Sequence, residues 1–248
     1  MEDNDCDHLK GAGKLIPNDP RVRYASAEIH GNTYHYIIGE PGSMPPISTV
    51  FLIHGFPDLG FGWRYQAIFS VCTPFLLPMK PYMAIEDLVA GPYKHLTYML
   101  QFIGPEIEVA IREREDKLPT LSRSVWLSED ELSYYADQFM LQEAPRMRGP
   151  LNWYRTRKID WEEEQMLANK PITLETPTLF IAASKDEALP PSLSAGMEHF
   201  IPQLTRAEVN SSHWALWETS TQVNEIIGEW LRSQIGNAAR PSLKPSLY

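Results

Sequence analysis

The sequence predicts an α/β fold with a mainly parallel sheet and an inserted set of helices. Three continuous apolar runs have the length of a strand and lack the alternation of a half-exposed strand; they are residues 49–53, 67–72 and 178–183. Such runs are typical of parallel strands that are buried on both faces. About a hundred residues of helical character separate the second run from the third. A chain of 248 residues is long enough for one such domain with an inserted lid.

The segments before the first apolar run predict a lead-in and a hairpin. Residues 1–20 are polar and contain several prolines and glycines, which favours a flexible lead-in. Residues 23–29 and 33–38 are rich in aromatic and β-branched side chains and are joined by His-Gly-Asn, a pattern that predicts two antiparallel strands. A fourth, weaker strand of the main sheet is predicted for residues 206–209.

Three local signals predict helices. Pro105 is suited to the first turn of a helix, and Ser128 followed by Glu131 has the spacing of a capping box. Near the C-terminus, apolar side chains recur every three or four residues on one helical face: Val223, Ile226, Ile227, Trp230 and Leu231. We expect this helix to pack on the sheet and to end at Gly236.

Charge and cysteine content exclude several classes of protein. The chain has 22 basic and 32 acidic residues, a net charge of −10, which disfavours binding to nucleic acid or to anionic lipid. The two cysteines, Cys6 and Cys72, indicate no disulfide framework. No apolar run approaches the ~18 residues of a membrane span, and the acidic N-terminus is unlike a signal peptide. We therefore expect a cytoplasmic protein with no membrane span and no nucleic-acid partner.

Cofactor motifs are missing from the sequence. It contains no G-x-G-x-x-G pattern, no phosphate-binding loop with its lysine, and no histidine pair at the spacing of metal ligands. We expect neither a cofactor nor a metal.

The first apolar run ends directly in His54-Gly55-Phe56-Pro57. Ligands of open α/β sheets bind beyond the carboxyl ends of the strands, and a backbone N–H of this loop could stabilise an oxyanion. The alternative is an ordinary turn that ends a strand.

Two side chains suited to general-base chemistry follow the last two predicted strands. Asp186 comes after residues 178–183, and His213 comes after residues 206–209. A carboxylate that orients an imidazole is a common general-base pair. The alternative is a surface aspartate and a histidine that covers an edge of the core.

Several segments together resemble the epoxide hydrolases of the α/β-hydrolase superfamily, from about residue 22 to residue 233. The similar segments are the loop at residues 49–66, Ser-Val-Cys-Thr-Pro-Phe at 70–75, Tyr-Met-Leu-Gln-Phe at 98–102 with Gly-Pro at 104–105, Arg-Gly-Pro-Leu-Asn-Trp-Tyr-Arg at 148–155, Ser-Lys-Asp at 184–186 and Ser-His-Trp at 212–214. The segment at 148–155 is the most specific of these. The resemblance implies an α/β-hydrolase fold with a core at residues 21–75 and 172–240 and a helical cap at residues 76–171.

The resemblance also implies the site. Tyr98 and Tyr154 would give hydrogen bonds to the epoxide oxygen, and Phe56 would supply a backbone oxyanion donor. His213, oriented by Asp186, would activate water. The substrate pocket would include three further aromatic residues: Phe102, Trp153 and Trp214. From the residues alone, Tyr98 could equally be a core aromatic of a lid helix, and Tyr154 with Trp153 could be lid packing.

The chain departs from this family at the nucleophile. In the family, an aspartate in a G-H-D-W-G-G elbow attacks the epoxide and forms an ester. Here residues 63–66 run straight into residues 67–72, and no such elbow is present. The resemblance therefore implies a fold that lacks about two central β–α units together with the nucleophile. Asp58 and Asp87 are not expected to replace it.

The sequence thus predicts an epoxide hydrolase that adds water to an apolar epoxide, giving a vicinal diol, with an activity impaired by the missing segment. The alternative is an inactive pseudoenzyme or a truncated gene product that binds a hydrophobic small molecule or a partner protein. Apolar surface left by the missing strands would favour a homo-oligomer. Haloalkane dehalogenases are the nearest other enzyme class, but the paired tyrosines favour epoxides.

Overall fold

The computed structural model describes residues 19–29, 31–40, 67–113, 125–141 and 147–238. The described residues divide into two compact units, one formed within residues 1–63 and 122–150 and the other within residues 64–121 and 151–248. The predicted lead-in, apart from its last two residues, and the predicted strand at 49–53 lie outside the described residues.

The described residues form the following strands and helices. The strands are β1 (Val22–Ile29), β2 (Asn32–Gly39), β3 (Ile68–Val71), β4 (Thr178–Ala183) and β5 (Leu204–Val209). The helices are α1 (Ile85–Ala90), α2 (Met99–Ile103), α3 (Glu106–Glu113), α4 (Glu129–Met140), α5 (Arg148–Arg155), α6 (Arg157–Ala168), α7 (Ala215–Glu218) and α8 (Ser220–Ala238). Short 3₁₀ helices lie at Lys94–Leu96, Pro191–Ser194 and Met197–His199.

The first unit contains the predicted hairpin and one helix. β1 and β2 pair antiparallel, with Val22 opposite Gly39, which confirms the hairpin. Gly31 in the turn has a φ of 80°, a left-handed conformation that glycine adopts without steric cost. The capping box before α4 is also confirmed, since Ser128 accepts a hydrogen bond from the backbone of Glu131 and its own backbone N–H donates to the Glu131 carboxylate.

The second unit is built on a parallel sheet in the order β3–β4–β5. Its register pairs Ile68 with Thr178 and Thr178 with Leu204. All six residues of the central strand β4 are buried, which confirms the interpretation of its continuous apolar run. β5 is confirmed as well, although it begins at Leu204 rather than at residue 206.

Alternate side chains of β4 supply the two faces of the core. On one face Leu179 and Ile181 pack with Val223 and Trp230 of α8, as the helical pattern predicts. On the other face Phe180 contacts Met197 and other residues that follow the strand. The sheet therefore has a covered core on both sides at its central strand.

The end predicted for the C-terminal helix is wrong. α8 continues through Gly236 to Ala238, because a glycine weakens a helix but does not remove a hydrogen-bond donor as proline does.

Between β3 and β4, the described residues form helices α1 to α6 and the loops that join them, with no strand among them. This agrees with a helical insertion, but α4 groups with the hairpin in the first unit. The boundaries of a cap at residues 76–171 stay a prediction. Within the described residues, no helix combines the length and the apolar character needed to cross a membrane.

Candidate active site

Asp186 and His213 form a hydrogen-bonded pair at the carboxyl end of the sheet. Asp186 follows β4 and His213 follows β5, and because these strands are parallel their carboxyl ends lie at the same edge. His213 Nδ1 is 2.7 Å from Asp186 Oδ2. The side chain of Asp186 is 1% exposed, whereas that of His213 is 39% exposed. The pair thus joins a fixed, buried carboxylate to an imidazole that solvent can reach.

Backbone donors fix the orientation of the carboxylate. Asp186 Oδ1 accepts hydrogen bonds from the N–H groups of Ala188 at 2.9 Å and Leu189 at 2.7 Å. The other oxygen, Oδ2, is left to face His213. Since Nδ1 carries the proton of this hydrogen bond, the second ring nitrogen of His213 has a free lone pair and can accept a proton. This is the arrangement that a general base requires.

Glu218, which has no local signal in the sequence, restrains the loop that bears the histidine. The backbone N–H of Ser212 donates to the Glu218 carboxylate at 2.9 Å, and the Ser212 hydroxyl donates to it as well. These hydrogen bonds lower the pKa of Glu218 below its ordinary value, and the one from the Ser212 hydroxyl has the largest effect. The carboxylate therefore stays charged and restrains the residue next to His213.

Tyr98 and Tyr154 form an aromatic cluster with Phe102. The ring centroids of the two tyrosines are 6.4 Å apart with the planes nearly perpendicular, and Phe102 is 5.7 Å from Tyr98 and 5.0 Å from Tyr154. Tyr154 is buried, with 9% of its surface exposed, and Tyr98 is 37% exposed. The structure thus brings three of the predicted site residues together.

The two phenols are hydrogen-bonded to each other and hold their protons tightly. Burial, together with the neighbouring phenol of Tyr98, raises the pKa of Tyr154 to about 12. Burial and, after it, the negative charge of Asp186 raise the pKa of Tyr98, while the hydrogen bond with Tyr154 opposes that rise. The charge of Asp186 therefore disfavours loss of the Tyr98 proton. Both phenols remain protonated and can donate hydrogen bonds at neutral pH.

Arg155 lies beside Tyr154 on α5 and connects this helix by hydrogen bonds to the segment that begins with Tyr98. Its guanidinium donates to the carbonyl oxygens of Ile103 at 3.2 Å and Gly104 at 2.8 Å, and it forms an ion pair with Glu108 at 2.5 Å. Charge-assisted hydrogen bonds of this kind are stronger than neutral ones. Arg155 therefore fixes the position of one tyrosine relative to the other.

Cys72, which lies at the carboxyl end of β3, is a further member of the site. Its backbone has a φ of 64°, uncommon for a residue with a side chain, and its N–H donates to Ile181 O at 2.9 Å. Its sulfur lies within 4.8 Å of a carboxylate oxygen of Asp186 and a ring nitrogen of His213. Burial, followed by the charge of Asp186, raises the pKa of the Cys72 thiol to about 11.

The remaining predicted site residues differ in their placement. Trp214 lies beside His213, with ring centroids 6.4 Å apart, and its ring also contacts Trp217. Trp153 is 70% exposed, so its side chain is turned to solvent and not to the tyrosine cluster. The loop at residues 54–57, predicted to supply the oxyanion donor, lies outside the described residues.

Comparisons with known proteins connect this geometry to one family. No family model matches the chain. Epoxide hydrolase srdG of Neurospora crassa is 26% identical over 338 residues, a match that covers 88% of this chain and 98% of that protein. Bifunctional epoxide hydrolase 2 of Sus scrofa is 33% identical over 208 residues, which covers 70% of this chain and 36% of that protein. The chain is similar to epoxide hydrolases over most of its length.

Solved structures of epoxide hydrolases have the same fold. Epoxide hydrolase I of potato superimposes with a TM-score of 0.55 at 21% identity, over 71% of this chain and 63% of that one. An epoxide hydrolase of Vigna radiata superimposes with a TM-score of 0.52 at 21% identity, over 68% of this chain and 60% of that one. The fold is therefore α/β-hydrolase-like, with a short parallel sheet and helices.

The matches differ in how much of each relative they include. The chain spans less than two thirds of the two plant structures, and 19% of Bifunctional epoxide hydrolase 2 of Rattus norvegicus. With Epoxide hydrolase A of Mycobacterium tuberculosis, the chain is 30% identical over 187 residues, which is 56% of that protein.

Proposed function

We propose that this chain adds water to an apolar epoxide and releases a vicinal diol. One observation carries the proposal: the same compact unit holds two tyrosines with ring centroids 6.4 Å apart and a histidine oriented by a buried aspartate. An acid pair for the ring oxygen and a base for water are the two groups that hydrolysis of an epoxide needs. The names of the relatives support the same substrate class.

The tyrosine pair would activate the ring. An epoxide oxygen accepts hydrogen bonds, and both phenols would turn from each other towards it when a substrate enters. As the carbon–oxygen bond breaks, negative charge develops on that oxygen, and one phenol transfers its proton to it. A pKa of about 12 for Tyr154 does not prevent this step, because the alkoxide formed is a much stronger base.

His213 would activate the nucleophile. Its free ring nitrogen takes a proton from a water molecule as the water oxygen attacks the epoxide carbon. Asp186 stabilises the imidazolium that forms. The proton returns from His213 to the tyrosinate, so the site is restored and the sum of the steps is epoxide plus water to diol.

We infer further that the segment bearing an aspartate nucleophile is missing from this chain. The sequence has no G-H-D-W-G-G elbow. One observation supports the inference. The match with the Neurospora relative extends over 338 residues, more than the 248 of this chain, so part of that relative stands opposite a gap.

Without this nucleophile, water would attack the ring directly, and turnover would be slow. An ester intermediate divides one difficult step into two easier ones, and a positioned carboxylate is a better nucleophile than water. We also propose that the helices next to the two tyrosines act as a lid over the site, since Tyr154 lies on α5 and Tyr98 just before α2.

The test is diol formation from a fluorogenic apolar epoxide by the purified chain. We expect slow turnover above the uncatalysed rate that His213→Ala and the double variant Tyr98→Phe with Tyr154→Phe both lose. His35→Ala and Tyr82→Phe are matched controls, because they make the same chemical changes at exposed positions, and both should retain the activity. Equal turnover in all variants would contradict the proposal.

A second candidate function rests on the missing elbow. A chain that keeps the aromatic cluster without a nucleophile could bind an apolar molecule and catalyse nothing. Saturable binding of the epoxide that weakens in the double tyrosine variant, with no diol formed by any folded protein, would favour this candidate over hydrolysis.

A further inference from the structure

We propose that Cys72, Asp186 and His213 form a site for one divalent cation of the zinc type. One donor atom of each residue, the sulfur, a carboxylate oxygen and a ring nitrogen, lies within 4.8 Å of the other two. Binding of the cation does not depend on the proposed hydrolysis. The functional consequence rests on the proposed function, because a cation bound to His213 would stop the reaction that needs this histidine as a base.

The sheet brings these three residues together. Cys72 follows β3, Asp186 follows β4 and His213 follows β5, and these are neighbouring parallel strands in the order β3–β4–β5. Side chains at the carboxyl ends of adjacent parallel strands converge at one edge. The site is therefore a product of the strand order and needs no local sequence motif.

The donor set suits zinc better than magnesium or calcium. A thiolate, an imidazole and a carboxylate are the usual protein ligands of zinc, whereas magnesium and calcium prefer oxygen alone. Zinc–ligand bonds of ~2.0 to 2.3 Å place tetrahedral ligands roughly 3 to 4 Å apart. With all separations at most 4.8 Å, the movements required are small. Asp186 Oδ2 and His213 Nδ1, now 2.7 Å apart, would give up their hydrogen bond and move slightly apart.

Two of the ligands are already fixed, and the third can adjust. The backbone N–H groups of Ala188 and Leu189 hold Asp186, while the N–H of Cys72 is bonded to Ile181 O. His213 is the partly exposed member, so its ring can rotate towards the cation, and solvent can supply both an entry path and a fourth ligand. Three protein ligands with one open position are typical of accessible zinc sites.

Binding would exchange protons for the cation. The thiol of Cys72 would lose its proton to solvent and bind as thiolate. His213 Nδ1, which faces Asp186, would bind the cation, and its proton would pass through solvent to the other ring nitrogen. That nitrogen would then carry a proton and could no longer accept one from water. A zinc-type cation would therefore act as a reversible inhibitor of this site.

Cobalt(II) titration of the full chain tests the site without any need for turnover. Cobalt replaces zinc in such sites, and its thiolate complexes have a ligand-to-metal charge-transfer band in the near ultraviolet. We expect one cobalt to bind per chain with this band, and zinc to displace it. The chain has two cysteines, so in Cys6→Ser only Cys72 can supply a thiolate.

The variants assign the ligands. Cys6→Ser should keep the full band, Cys72→Ser should lose it, and His213→Gln should weaken the affinity ~10-fold or more. Absence of the band from the folded wild-type chain, or its loss in Cys6→Ser, would overturn the proposal. If Cys72→Ser does not fold, the cobalt–thiolate bands of the wild type and Cys6→Ser are sufficient to test the proposal. A chain that binds cobalt but forms no diol would refute the hydrolysis and leave the cation site intact.

Discussion

His213 Nδ1 lies 2.7 Å from Asp186 Oδ2, and the carboxylate of this pair is fixed through its other oxygen by two backbone N–H groups. The histidine therefore receives its orientation from a buried group that has little freedom of its own. Its ring remains partly exposed, so it can meet water or substrate. The pair therefore combines a rigid support with an accessible base.

Replacing the carboxylate of Asp186 should remove the group that orients His213. In Asp186→Asn the amide nitrogen or oxygen faces Nδ1, so the imidazolium is no longer stabilised and the ring can adopt the wrong tautomer. We expect diol formation to fall by a factor of roughly 10² to 10⁴, to the rate of His213→Ala. Glu187→Gln removes a charge from the exposed neighbouring residue and should leave the rate unchanged. Equal losses in both variants would refute the role given to Asp186.

The tyrosine pair predicts a fall in stability at alkaline pH. The pKa of Tyr154 is raised from 10.0 to about 12, so the folded protein holds this proton more tightly than the unfolded chain does. The resulting stabilisation is present below pH 10 and is lost as the pH rises towards 12. Urea unfolding at a series of pH values should show a steeper decline for the wild type than for Tyr154→Phe. Parallel curves would contradict the assigned shift.

Arg155 should stabilise the segment that holds the two tyrosines. Arg155→Lys keeps the charge but loses the planar fork that reaches Ile103, Gly104 and Glu108. We expect the free energy of unfolding to fall by about 1 to 3 kcal/mol. The exposed pair of Lys158 and Glu162 provides the control, because Lys158→Ala should cost less than ~1 kcal/mol. A smaller effect at Arg155 than at Lys158 would show that the fork has no structural role.

The central strand should be the most sensitive part of the core. Ile181 is fully buried in β4, and Ile181→Ala would leave a cavity between the sheet and α8. The expected cost is about 2 to 5 kcal/mol of unfolding free energy. Met166→Ala shortens an exposed apolar side chain and should change stability by less than ~0.5 kcal/mol. Denaturant titration of both variants checks the difference.

The sequence was sufficient to predict the parts of the molecule that repeat a simple period. The buried run of β4, the hairpin of β1 and β2 and the apolar face of α8 all follow from spacing that burial imposes. Asp186 and His213 could be paired because each follows a strand of the same predicted sheet. The end of α8 could not be predicted, because a single glycine does not decide where a helix stops.

Other site residues had no local signal. Cys72 joins the site only because β3 is the neighbour of β4, and strand order is not visible in the chain. Arg155 acts on carbonyl groups about fifty residues away, and Glu218 holds its loop from the following helix. Such long-range contacts depend on the packed fold, so the predicted absence of metal motifs could not exclude a site assembled from three strands.

A single-turnover reaction in oxygen-labelled water shows whether water itself attacks the epoxide. With enzyme in excess over an apolar epoxide, direct attack by water activated at His213 would place the label in the diol during the first turnover. We expect labelled diol, with formation abolished in the double variant Tyr98→Phe and Tyr154→Phe. Unlabelled first-turnover diol would show that a carboxylate of the chain is the nucleophile, and no diol from folded protein would show that the site does not hydrolyse epoxides. Either result would refute direct attack by water at this site.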